Sequence, residues 1–225
     1  MAAATAADDF VTLKAPLPII PLPPNSERPI ITTNRLLIRP LQPTDLDALH
    51  VLRTQPEVMK WTSTGRIDQT LDETSQKLAL FLPPNDATTF NCAICARHSD
   101  ELLGVGGCHL YPGQHGWPEL GYMLRRECWG QGLASEFLGA WLQAWAALPR
   151  ADCEVTVQRG MKAEGAAGRE HLIAVTEATN VPSQKVLLRS GFRRLCEFTE
   201  IDGDGGEGEG KGVVQLVAFC YFPSG

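Results

Sequence analysis

The chain has 225 residues, 44% of them hydrophobic and 20% charged, with 20 Lys+Arg against 26 Asp+Glu for a net charge of −6. Those are globular values, enough for one full domain and short for two. The acidic balance, without a basic stripe, argues against a general nucleic-acid binder or a ligand of anionic membranes, and no apolar run reaches the length of a membrane span. Met1 to Phe10 is Ala-rich but carries Asp8 and Asp9, so neither a secretory signal nor a mitochondrial presequence is expected there. Seven cysteines, an odd number scattered through apolar stretches, suit reduced thiols in a cytoplasmic or nuclear protein.

Residues 1–29 stand apart. The stretch from Ala15 to Pro24 is dense in proline, shows no helical or strand period, and reads as a polyproline-like tail or a strap on the domain surface. The domain then runs over 30–225. Asn34 to Leu41 reads as a strand, followed by a helix that Thr44 would cap and that ends near Gln55. A second helix is expected from Asp68 to Leu82, stopped by Pro83 and Pro84. Thr88 to Arg97 and Leu102 to Tyr111 read as paired strands, and Pro118 to Arg125 as another. Gly121 inside it signals a bulge or a close backbone approach.

Gly132 to Leu148 reads as an apolar helix, with Phe137, Leu138, Trp141, Leu142 and Trp145 at core spacing. The Gly-rich stretch 150–170 reads as an inserted loop. A strand over His171 to Ala178, a short helix over Pro182 to Ser190 and a hairpin of Arg193 to Ile201 with Val213 to Phe222 complete the chain. The hairpin tip, Asp202 to Gly212, is acidic and Gly-rich and reads as a solvated loop. The order predicts an α/β (α+β) architecture of helices on a mixed sheet.

The chemistry concentrates at the junction from Glu119 to Glu136. A strand ends, a short loop carries Gly130 and Gly132, and a long helix begins. First-turn N–H groups left uncovered at a helix N-terminus make a site for a phosphate or pyrophosphate. No Gly-Lys-Ser/Thr follows, so this is not a Walker loop, and the Gly104-Val-Gly-Gly107 run lacks dinucleotide spacing.

Trp129-Gly-Gln-Gly-Leu-Ala134, followed by Glu136, resembles the acyl-CoA signature of the GNAT N-acetyltransferases, in the form typical of the ribosomal-protein N-terminal acetyltransferase branch. Trp129 stands where Gln or Arg is more usual. Thr33-Asn34-Arg35-Leu36 to Pro40 with Asp45-Leu46, and Asn180-Val-Pro-Ser183 followed by Gly191-Phe192, are similar to two further segments of that branch. The three lie in the expected order. The resemblance implies the GNAT fold, a twisted, mostly antiparallel sheet of about seven strands flanked by helices. It implies acetyl-CoA as cosubstrate, no metal, and an amine acceptor that is a protein N-terminus or a small molecule. It implies that the backbone of Met123 and Leu124 binds the pantetheine arm, with the Leu124 N–H on the thioester carbonyl. Trp129, Gly130, Gln131, Gly132, Leu133, Ala134 and Ser135 form the pyrophosphate loop. Asn180 contacts cofactor or acceptor, and Ser183 lies near the sulfur.

The mechanism this implies is direct attack by a neutral amine in a ternary complex. Glu119 is the first candidate base, against a strand-edge carboxylate with no such role. Many GNATs carry an acidic Tyr seven residues after the Asn; here that position is Leu187, and Ser183 is the substitute candidate, against a serine that only caps the helix. Glu197, Glu200 and Asp202 are lesser candidates. A Cys128 acyl-enzyme lacks a recognisable His partner. Cys92 and Cys95 are expected on opposite faces of their strand, without a second pair for zinc. His109 and His115 flank a loop that would line the acceptor groove. Two other readings stay open, a catalytically silent CoA-binding module and a scaffold working through the Pro-rich segment. The chain is expected to act as a monomer or homodimer.

Overall fold

A computed structural model describes residues 9–165, 168–201 and 212–223. Its centre is an eight-stranded sheet. In chain order the strands are β2 (Ile31–Thr32), β3 (Leu36–Pro40), β4 (Phe90–Ala96), β5 (Leu102–Leu110), β6 (Glu119–Leu124), β8 (Leu172–Glu177), β9 (Arg193–Ile201) and β10 (Val213–Tyr221). Their spatial order is β2-β3-β4-β5-β6-β8-β10-β9. All neighbours are antiparallel except β6 and β8, which run parallel and share one register pair, Glu119 with Ile173. Beyond that pair the two strands separate.

Both faces of the sheet are covered. Helices α4 (Leu133–Ala146) and α5 (Val181–Arg189) pack on one face. Their core joins Leu36, Ile38, Phe90, Leu120, Leu124 and Phe219 to Phe137, Trp141 and Leu187. Trp141 and Trp145 are fully buried and stacked 5.3 Å apart, as the helical spacing predicts for core residues. On the opposite face, α1 (Leu46–Arg53), the single turn α2 (Pro56–Met59) and α3 (Leu71–Ala79) cover the β3–β5 half. Cys92 joins the first core and Cys95 the second, so they point to opposite faces.

Helix starts differ from the sequence reading in detail. Thr44 caps nothing here: a short 3-10 turn over Pro43–Asp45 precedes α1, closed by Gln42 and Asp45. Asp68 does not open the next helix. It is drawn into a buried pair with Arg53 at 2.6 Å, and Thr70 caps α3 instead, accepting from the Glu73 N–H.

Residues 150–170 are not the expected loop throughout. Arg150–Gln158 is strand β7, and it pairs antiparallel with β1 (Phe10–Pro18) over nine register pairs, from Phe10 with Gln158 to Pro18 with Arg150. The segment dense in proline therefore holds a strand. Val11, Leu13, Ala15 and Leu17 face inward with period two, and Pro16 and Pro18 sit on an edge where a missing N–H breaks no ladder. This ribbon covers the β8–β10 half of the sheet through Ala15, Leu17, Val155, Val157, Trp117 and Ile173. Leu22 then enters the main core at 2% exposure. The expected acidic tip, Asp202 to Gly212, lies outside the described residues except for Gly212.

Candidate active site

The site is organised along β6. Successive side chains of a strand alternate between faces, and successive backbone groups between edges. Leu120, Tyr122 and Leu124 turn toward the α4 face, while Met123 turns toward the α1–α3 face. The Arg125 N–H donates to Leu103 O on β5, so the Leu124 N–H one residue earlier faces the β8 edge, where the strands have separated. Leu124 O faces the same way and accepts from Trp129 Nε1 at 2.8 Å. Trp129 thus ties the loop to the strand, with the Arg126 guanidinium over its ring. Its side chain packs against the core.

The loop beyond Trp129 turns on two left-handed glycines, Gly130 at φ +73° and Gly132 at φ +78°. A Cβ on Gly130 would meet nothing within 4 Å, so the space above the loop is open. Gly132 sits at the N-cap with no side-chain cap, and the first helical bond runs from the Glu136 N–H to Gly132 O. The N–H groups of Leu133, Ala134 and Ser135 therefore have no partner within the helix. Together with the positive helix end they form an anion cradle. Leu133 itself anchors the turn by burying its side chain. Gln131 Nε2 donates to Glu127 O at 2.7 Å, and Gln131 O accepts from Arg35 Nη1 at 2.8 Å.

Glu136 fixes the helix start from below. It accepts from Thr33 Oγ1 at 2.6 Å, from the Arg35 N–H at 2.8 Å and from Arg35 Nε at 2.7 Å. Burial pushes its carboxyl up, but the hydrogen bonds from Thr33 and Arg35 outweigh burial and leave it below the usual carboxylate range.

Asn180 and Ser183 come together at the start of α5. Asn180 Oδ1 accepts from the Ser183 N–H at 3.3 Å, a helix cap. Ser183 Oγ stands 3.0 Å from Tyr122 OH. Tyr122 is the residue that sequence reasoning missed. It reaches α5 because its partner on β5 is Gly106, where a Cβ would lie 2.7 Å from the Phe137 ring and 2.9 Å from Tyr122 Cβ. Burial pushes the Tyr122 phenol up to about 12, so it is protonated at neutral pH and able to donate. Leu187 is a buried core residue.

Glu119 lies where β6 and β8 part, with its side chain 16% exposed. Burial, and then the charge of Glu200, push its carboxyl up to about 7. His109 Nε2 stands 3.7 Å from Glu119 Oε1, and burial lowers this imidazole to about 4. Gly121 makes room for the ring, since a Cβ there would sit 3.0 Å from His109 Nδ1. The sequence signal at Gly121 is a close approach, and the bulge falls instead on β5 between Cys108 and Leu110. His115 is buried, bonded to Gln158 Oε1 at 2.8 Å and edge-on to the Phe198 ring. Glu197 pairs with Arg194, and Asp202 lies outside the described residues. The Cys128 side chain is buried, and burial pushes its thiol up, which disfavours a thiolate nucleophile. Among the described residues, no group of three His, Cys, Asp or Glu is placed to hold a metal ion, and no helix is long and apolar enough to cross a membrane.

β6 thus brings three groups together: an anion cradle beyond its end, a hydroxyl pair on one face and a carboxyl with a shifted pKa on the other. Residues 35–193 match the family model described as acetyltransferase (GNAT) domain. An uncharacterized N-acetyltransferase of Bacillus subtilis, YoaA, is 25% identical over 169 residues, 74% of this chain and 84% of that protein. The structure of a GNAT-family acetyltransferase from Bacillus anthracis superposes with a TM-score of 0.61 at 22% identity, covering 87% of this chain and 99% of the other. An acetyl transferase from Salmonella typhimurium that modifies the N-terminal serine of 50S ribosomal subunit protein L7/L12 superposes with a TM-score of 0.60 at 17% identity, covering 86% and 98%.

Proposed function

Because the chain belongs to the acetyltransferase (GNAT) family, an acetyl-CoA-dependent class, we propose that it moves the acetyl group to a primary amine by direct attack within a ternary complex. The observation that carries this reading is Glu119: a carboxyl pushed up to about 7, set where β6 and β8 separate. A base with that pKa takes a proton from an ammonium group at neutral pH far better than a solvated carboxylate does.

The residues present fit acetyl-CoA. The cradle at Gly130 to Ser135 is open and offers backbone N–H groups to the pyrophosphate. Bound acetyl-CoA supplies the reactive acetyl thioester. Glu119 removes the proton that leaves the amine nitrogen. The Leu124 N–H, free at the β8 edge, donates to the carbonyl oxygen as negative charge develops on it. Tyr122 and Ser183 hold a hydroxyl proton toward the departing thiolate. The new C–N bond replaces the C–S bond, and the thiol leaves protonated.

Asn180 takes a supporting part as the cap that aims Ser183. Met123 and Trp129 shape the strand and loop rather than supplying a reacting atom. The acceptor is an amine, either small or at a protein N-terminus. The Salmonella relative acts on an N-terminal serine.

Release of free thiol from acetyl-CoA, measured against N-terminal peptides, polyamines and amino acids, tests the reading. Turnover with one acceptor class, lost in Gly132→Trp, is the expected result. Tight acetyl-CoA binding without release from any amine would favour a silent CoA-binding module.

A further inference from the structure

His109 is a titratable side chain beside the reacting carboxyl that the mechanism leaves unused. It sits in the β5 bulge, between Cys108, in register with Leu120, and Leu110, in register with Glu119, and it has no register partner of its own. A bulge re-aims the side chain it carries, and bulges gather beside active sites. Here the ring lies over Gly121, with Nε2 3.7 Å from Glu119 Oε1. Nδ1 is buried and has no hydrogen-bond partner.

Glu119 has the complementary lack. Burial and the Glu200 charge set the state of its carboxyl, and no hydrogen bond contributes to it. A carboxylate formed in a partly dry place is costly without a donor. His109 is the basic side chain that reaches it. Closing that gap by about 0.8 Å makes a charge-assisted hydrogen bond. One tautomer does this. With the proton on Nε2, the ring donates to the carboxylate and Nδ1 is the bare, buried nitrogen. With the proton on Nδ1, the ring would turn a lone pair to an ionised oxygen and bury an N–H that has no acceptor.

We propose that His109 positions the base: its Nε2–H hydrogen-bonds Oε1 of the ionised Glu119 carboxylate and leaves Oε2 to the acceptor nitrogen. The inference rests on the reading of Glu119 as the base. Oε2 lies beside Gly113, which has no side chain to cover it. Burial keeps the ring neutral above about 4, so it orients the carboxylate without the full positive charge that would weaken the base. The other titratable groups facing the carboxyl do not replace this donor. Glu200, from β9, is an acid, and burial pushes the Cys108 thiol, from β5, far up.

The test uses the full chain as wild type, His109→Gln, His109→Leu and Glu119→Gln. The ring nitrogens are followed by proton–nitrogen NMR against pH, and His109→Gln identifies the His109 signals among the five histidines. In parallel, kcat and KM are measured against pH with acetyl-CoA and the peptide, polyamine or amino acid that turns over fastest. Expected at about pH 8.5 is the Nε2–H tautomer. The ring signals should shift with a midpoint of about 7 as Glu119 ionises, without the ring itself gaining a proton, and Glu119→Gln should abolish that shift. His109→Leu should move the rate limb up by about one pH unit and lower kcat above the limb about tenfold, with KM unchanged. His109→Gln keeps a side-chain N–H and should recover most of both. Melting temperature checks that each variant is folded; if His109→Leu is not, the wild-type ring signals decide.

The Nδ1–H tautomer at that pH, ring signals indifferent to Glu119, wild-type kinetics in His109→Leu, or His109→Gln no better than His109→Leu would each overturn the proposal. A ring that takes up its own proton near 7 would make His109 the base and overturn it too. The reading of Glu119 as base fails separately, if the limb persists in Glu119→Gln or if no amine is acetylated. The hydrogen bond is then judged by NMR alone: ring signals that track Glu119 keep it, and signals that do not remove it.

Discussion

Glu119 Oε1 stands 3.7 Å from His109 Nε2, and the imidazole packs closely over Gly121, where a Cβ would crowd the ring. At neutral pH this contact is not an ion pair. Burial holds His109 neutral, with its pKa at about 4, while Glu119 is pushed up to about 7 and is close to half ionised. The pair is a carboxyl beside a neutral ring in a partly dry site, which keeps the carboxyl a usable base.

The first prediction follows from that shift. The base is active when deprotonated, so kcat/KM rises with pH through about 7 on a limb belonging to Glu119. Glu119→Gln should lower the rate about 10²–10⁴-fold and abolish that limb. Stability moves the opposite way. Between about 4.5 and 7 the folded chain holds a proton that the unfolded chain has lost, so stability falls as pH rises across that window. Glu119→Gln removes this penalty and should melt higher than wild type at pH 8. A rate profile with the same limb in Glu119→Gln would assign the base elsewhere.

The hydroxyl pair gives the second. Tyr122→Phe and Ser183→Ala each remove one partner of the 3.0 Å contact. If the two pass one proton to the leaving thiolate, each single variant should lower kcat about 10-fold or more with acetyl-CoA affinity nearly unchanged. The double variant should be no worse than the poorer single one, since residues acting as a unit are not additive. Additive losses would separate the two roles.

The third concerns the base of the cradle. Glu136 receives Thr33 and Arg35, and Arg35 also holds Gln131 O, so one acid orders both the helix start and the loop. Glu136→Gln should weaken acetyl-CoA binding and cost about 1–3 kcal/mol of stability at pH 7. The ionised carboxyl is the form favoured in the folded chain. Its contribution is present above the ordinary glutamate pKa and is lost as pH falls through the lowered folded value. The gap between wild type and variant in a urea titration should therefore close on acidification.

The parts of this arrangement differ in how openly the sequence carries them. The strand–loop–helix junction is legible because its signals are local: Gly130 and Gly132 at the turn, then Phe137, Leu138, Trp141 and Trp145 at helical spacing. The β1–β7 ribbon is hidden for a physical reason. Pro16 and Pro18 mask the inward alternation of Val11, Leu13, Ala15 and Leu17, and the middle of β7 turns Asp152, Cys153 and Glu154 to solvent. Tyr122 is hidden because Leu120 and Leu124 flank it with period two, and its hydroxyl partner is 61 residues away. Glu119 is visible as an acid on the right strand, but its shift comes from burial and Glu200, which only the folded chain brings together.

The last prediction isolates the cradle from the packing around it. Gly130 and Gly132 both lie at positive φ, where a side chain is strained by about 1–2 kcal/mol. Space is not the obstacle. An added Cβ would meet nothing within 4 Å at Gly130, and only Arg35 Nη2, at 3.6 Å, at Gly132. Alanine at either position should therefore fold, with a melting temperature a few degrees lower, since about 1 kcal/mol is worth ~2–4 °C in a chain of this size. Acetyl-CoA binding should suffer more than stability does. The added methyl group enters the open side of the loop, and the backbone must leave its left-handed turn to relieve the strain, which re-aims the N–H groups of Leu133 to Ser135. Calorimetry should show a dissociation constant raised about tenfold or more in each variant. Affinity equal to wild type in both, with the expected drop in melting temperature, would place the pyrophosphate away from this loop.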